Sequence, residues 1–145
     1  MKLLRGTSII EILIATAMIS VAVIAALSLM NRSQSQNTYA RNLSEATRYN
    51  TQAADWIRTQ RDTLGFATIY AYAEDATDYC LNSFPSDFTY IVAESCGTEY
   101  ITGTVYQRKI TMSKPDVNTL KFIIIVSWQE KTTRQATIEM ELNKW

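Results

Sequence analysis

Gly6-Thr7-Ser8-Ile9-Ile10-Glu11 opens the stretch on which the fold turns, because Glu11 is the sole charge between Arg5 and Arg32. From Ile9 to Met30 the sequence is otherwise apolar, with small or hydroxyl residues scattered through it. As a helix these residues would extend about 33 Å, and a hydrocarbon core is about 30 Å thick. The segment therefore reads as a membrane helix. A carboxylate within such a helix costs roughly 2.5–3.5 kcal/mol on insertion scales, so its retention implies a partner. Lys2 and Arg5 precede the segment and place its start on the cytoplasmic face by the positive-inside rule.

Two simpler readings share these residues. A secretory signal peptide would end at small residues such as Ala26-Leu27-Ser28, but its apolar core is about 7–15 residues, shorter than this one. A plain single-pass anchor explains the length and leaves Glu11 without a role.

A basic leader ending in Gly6, an uncharged Thr7, Glu11 as the fifth residue after the glycine, and then an apolar helix resemble the N-terminus of the type IV pilins. The resemblance implies that a prepilin peptidase cuts between Gly6 and Thr7 and that the new amine of Thr7 is N-methylated. It further implies that Glu11 neutralises that amine on a neighbouring subunit during assembly. Gly6 suits the cut, since a residue without Cβ lets the backbone enter a protease cleft. The chain departs from the family where most members have Phe instead of Thr7, and it lacks the proline that often kinks the membrane helix.

Downstream, the sequence has no Pro or Gly between Gly6 and Gly65, which predicts one helix of more than fifty residues closed at Gly65. Beyond Met30, Tyr39, Leu43, Ala46, Ala53, Ile57 and Leu64 recur on one face, with Tyr49 and Trp56 beside them. Asn31 to Asn37 is polar and marks the exit from the bilayer. Five arginines lie between Arg32 and Arg61 against Glu45 and Asp55, whereas no Lys or Arg occurs from Asp62 to Gln107. That second stretch carries Glu74, Asp75, Asp78, Asp87, Glu94 and Glu99. The two regions are thus oppositely charged, either simply as solvated faces or as surfaces that attract one another between stacked subunits.

After the helix, Ala67 to Tyr79 reads as a short helix and Phe88 to Ala93 as a strand. The rest reads as antiparallel sheet. One strand runs from Tyr100 to Met112, its apolar phase shifting near Gln107 or Arg108 as at a bulge. Lys114-Pro115-Asp116 forms a turn. The strand from Leu120 to Trp128 is apolar on both faces and so belongs inside the sheet. Gln129 to Thr133 forms a hairpin turn, and a last strand from Ala136 to Leu142 has one wet face. Cys80 and Cys96 are the only cysteines, and in an oxidising compartment outside the membrane they are expected to form a disulfide.

The fold class expected is α+β, a long N-terminal helix packed on a C-terminal antiparallel sheet, which is pilin-like. Residues 1–6 form the leader, 7–30 the membrane or filament-core helix, and 31–145 an extracytoplasmic globular domain that includes the amphipathic half of the helix. No enzymatic activity is expected. The chain has no His, so a hydrolytic triad of the usual kind is impossible, and its carboxylates are not paired for acid–base work. No cofactor is implied and no metal site is assigned. Two cysteines without His fall short of a zinc site, and Glu74, Asp75 and Asp78 lack the ligand spacing of a known calcium loop. Arg41, Arg48, Arg58 and Arg61 are a basic set, but overall neutrality weighs against direct nucleic-acid binding.

The partners implied by the resemblance are the prepilin peptidase, other pilin subunits, the inner-membrane assembly platform and the cytoplasmic membrane. The protein would be single-pass in that membrane before assembly and part of an extracellular or periplasmic filament afterwards. Cysteines that precede the main sheet favour a minor subunit. The alternatives are a minor pseudopilin of a type II secretion system, which differs in partners, and a membrane-tethered binding domain that never assembles.

Overall fold

The computed structural model describes residues 9 to 144, so the expected leader and the expected cleavage between Gly6 and Thr7 lie outside the described residues. A single helix, α1, spans Ile9–Leu64. The chain divides into two compact units at Arg41 and Asn42, each taken in turn below.

In the first unit α1 is a lone helix whose described side chains are all exposed. Two hydroxyls in its apolar part are satisfied locally. Thr16 Oγ1 donates to the Leu13 carbonyl at 3.0 Å and Ser20 Oγ to that of Thr16 at 2.8 Å, so neither leaves a polar atom without a partner.

In the second unit α1 lies on a four-stranded antiparallel sheet of order β1-β2-β3-β4, formed by Thr77–Cys80, Tyr106–Asp116, Thr119–Gln129 and Thr133–Asn143. The helix buries Ala46, Asn50, Ala53, Ala54, Ile57 and Gln60. Three alanines in that set let the sheet approach closely. The predicted stripe holds at Ala46, Ala53 and Ile57, and Leu43, Tyr49, Trp56 and Leu64 pack at its margins. Tyr39 stays exposed. The opposite face carries Thr47, Thr51, Thr59 and Thr63, each donating to the carbonyl four residues back. Gly65 ends the helix, its N–H reaching the Arg61 carbonyl at 2.9 Å. Its φ of 80° and ψ of 152° belong to a region that is essentially glycine's alone, and the chain turns there directly into α2, Phe66–Tyr72.

The inward faces of the strands interleave in register. Tyr106, Arg108, Ile110 and Met112 of β2 lie beside Leu120, Phe122, Ile124, Val126 and Trp128 of β3. β3 is an inner strand, flanked by β2 and β4 along its whole length, as its two apolar faces predict. Phe88 meets Phe122 edge-on at 6.3 Å, and Trp56 stacks on Phe84 and Phe88, closing the core under the helix.

Several local expectations need correction. The helix after Gly65 stops at Tyr72 because Ala73 is extended and Ala76 takes a positive φ of 54°, so Thr77 to Cys80 pair with β2 as β1. Phe88 to Ala93 is no strand. A 3₁₀ turn covers Phe88–Tyr90, capped by Asp87, which accepts from the Thr89 N–H at 2.8 Å, while Gln60 Oε1 takes the Phe88 N–H at 2.9 Å. The strand expected from Tyr100 starts at Tyr106, since Thr104 N–H folds back to the Ile101 carbonyl around Gly103 at φ 73°. The phase shift near Arg108 is no bulge. Pairing is regular from Tyr106 to Ser113, Arg108 takes an inward place usually held by an apolar residue, and the register shifts only between Ser113 and Asp116. The hairpin tip is accordingly Val117-Asn118, with Asp116 opposite Thr119.

Candidate anchoring and assembly site

Two features of the chain demand explanation: an uncovered apolar helix and a loop region tied down around one disulfide. The first begins at Ile9. Across Ile9–Met30 every side chain faces outward, with Ile9 78% and Val21 68% exposed, and this is the one helix long and apolar enough among the described residues to cross a membrane. A shallow groove bounded by Ala17, Val21, Ala22 and Ala25 runs along it. Such a surface is stable only against lipid or protein. Glu11 stands near the start of the described part of α1.

The second feature is built on the disulfide between Cys80 and Cys96, whose Cα atoms lie 4.8 Å apart. It joins the end of β1 to the long connection before β2, as expected. Beside it sits Arg108, 2% exposed, which the sequence marks only as the place of a shift in apolar phase. Its Nε donates to the Leu81 carbonyl at 2.7 Å and its Nη1 to the Tyr49 carbonyl at 3.0 Å. The guanidinium also lies 4.1 Å from the Phe84 ring centre. Its backbone N–H and C=O bond Asn82 Oδ1 and the Leu81 N–H. Burial pulls its pKa down to about 10, and among the described residues it has no ion pair. It remains a cation at neutral pH and staples the loop after Cys80 to α1 through backbone carbonyls. Asn50 does the same at the other margin, donating to the Ala136 carbonyl at 3.0 Å. Only a phase argument, Arg108 in step with Tyr106, Ile110 and Met112, would have found this residue.

At the β3–β4 hairpin, Glu130 Oε1 accepts from Trp128 Nε1 and Asn42 Nδ2, both at 2.9 Å, and these bonds hold its carboxyl below the usual range.

The charge segregation seen in the sequence is largely spent inside the chain. Arg48, Arg58 and Arg61 pair with Glu45, Asp55 and Asp62 on the same helix. Asp78 bonds Lys109 and Thr111, Asp75 accepts from the Lys114 N–H, and Asp87 caps its turn. Among the described residues no group of three His, Cys, Asp or Glu side chains is placed to hold a metal. Of the tyrosines, Tyr79 is buried and Tyr70 packs against the core, while Tyr72 is exposed.

No known family model matches the chain, and neither a curated protein nor a solved structure shows significant similarity to it. What the geometry offers chemically is an apolar rod with one acid near its start and a small disulfide-closed cap.

Proposed function

We propose that this protein is a structural subunit of a type IV pilus or pilus-like filament, processed after Gly6 and assembled through its N-terminal helix. The observation that carries the reading is the single helix Ile9–Leu64, uncovered and apolar at one end with Glu11 near its described start, amphipathic and packed on a sheet at the other. In the membrane the apolar end is covered by lipid. In a filament, helices of neighbouring copies replace the lipid, and Glu11 meets the amine of Thr7 that cleavage creates. A buried carboxylate and a buried ammonium each have a large desolvation penalty alone, so their pairing makes incorporation depend on register between subunits. Cys80 and Cys96 lie well before the C-terminus, where the resemblance would put the cysteines of a major subunit, and this favours a minor one.

Substituting Glu11→Val should leave cleavage intact and remove the chain from the sheared filament fraction. Unchanged incorporation would refute the role given to Glu11. Gly6→Glu should instead leave an uncut precursor, seen as a slower band in membrane fractions.

A further inference from the structure

The paired charges described above leave a short remainder. Among the described residues the carboxylates of Glu11, Glu74, Glu94 and Glu99 have no bond or ion pair, and neither do the guanidinium groups of Arg32 and Arg41 or the ammonium groups of Lys131 and Lys144. Glu94 lies beside an apolar patch. Tyr90 is 67% and Val92 63% exposed, and with Cys80, Pro85 and Glu94 they border a cleft of about 150 Å³ over the disulfide. The patch lies within the stretch that has no Lys or Arg from Asp62 to Gln107, and among the described residues no cation pairs with Glu94 or Glu99. Exposed aromatic and branched side chains next to free carboxylates suit a long cationic side chain, whose stem lies on the ring while its head meets the acid.

From this we infer that the disulfide-loop cleft, Tyr90, Val92 and Glu94, docks on the stem of a second copy of this chain at Arg32 or Arg41. The stem supplies the matching chemistry: two arginines without partners on an exposed helix otherwise polar from Asn31 to Asn37. Nine residues apart, at 3.6 per turn, they project from opposite sides of the helix, so one stem can serve a neighbour on either side. The contact sets which copies meet and in what register more than it adds affinity, because exposed ion pairs are individually weak. This inference rests on the filament reading.

The test places the photoreactive p-benzoylphenylalanine at position 90 of the full chain, expressed in membranes that process it. Irradiation should give an adduct of twice the subunit mass whose cross-linked peptide contains residues 30–41 of the second copy. Either Glu94→Arg or the double substitution Arg32→Glu/Arg41→Glu should reduce the adduct roughly tenfold, the weight of one exposed ion pair and one cation–π contact together. Combining all three should restore it. An adduct to a different protein, to another part of the second copy, or none at all overturns the docking surface. The same samples, scored for cleavage after Gly6 and for presence in sheared filaments, separate the two ideas. A processed, incorporated chain without the adduct rejects the cleft alone, whereas an uncut chain rejects the filament reading too. Tyr90 and Glu94 are exposed, and an intact disulfide by mass verifies that the variants fold.

Discussion

Residues 9–30 and residues 42–64 belong to one helix, yet they are built for different surroundings. The first stretch exposes every side chain, most of them apolar, and closes the hydroxyls of Thr16 and Ser20 on its own backbone. The second buries one narrow face and places threonines and ion pairs on the other. The difference teaches that helicity here is common property, set by the absence of Pro and Gly, whereas stability is local: the second stretch gains it from the sheet and the first must gain it from outside the chain.

Phe122→Ala tests that division most severely. Phe122 is fully buried against Phe88, and its loss should destabilise the cap by about 3–5 kcal/mol in urea unfolding of the detergent-solubilised chain. Leu13→Ala, on the uncovered stretch, should leave the same transition where it was. If the two variants behaved alike, the two stretches would not be energetically separate. Removing the disulfide with Cys80→Ala/Cys96→Ala should cost on the order of 3 kcal/mol, as expected for freeing a loop of this size.

Arg108→Met keeps the stem volume but removes both guanidinium bonds, leaving the Leu81 carbonyl without this donor and the loop untied from α1, and should cost about 1–3 kcal/mol. A neutral result would mean that desolvating the guanidinium cancels its bonds.

The smallest effect concerns acid. Lys109 and Thr111 hold the Asp78 carboxyl below its usual range, and Trp128 and Asn42 do so for Glu130. A carboxyl depressed in the folded state binds fewer protons there than in the unfolded chain. Its contribution is therefore complete above the unfolded value, near pH 4, and is lost as pH falls through the folded one. Asp78→Asn/Glu130→Gln should start less stable at pH 6 and lose less between pH 5 and pH 2. Parallel curves for variant and parent would remove these two groups from the acid limb.

The long helix, the inner position of β3, the wet face of β4 and the disulfide were legible because each rests on a periodic or pairwise signal. The stretch from Phe66 to Val105 was not. Its path is set by single tertiary bonds, such as Gln60 to the Phe88 N–H and Asn82 to the Glu99 carbonyl, which leave no period in the sequence. Arg108 and Asn50 were hidden for a related reason: the break in apolar phase at Arg108 was read as a bulge and Asn50 left no apolar mark on its helix face, while both donate to backbone carbonyls in the interior. At the N-terminus the reverse holds. Glu11 was conspicuous from composition alone, and its proposed partner is an amine that exists only after cleavage.

That amine is also where the account is most open to refutation. Mass spectrometry of the N-terminus of the membrane-extracted or filament-borne protein should find a chain beginning at Thr7 with a methylated amine. An intact Met1, or a new end near Ser28, would contradict it.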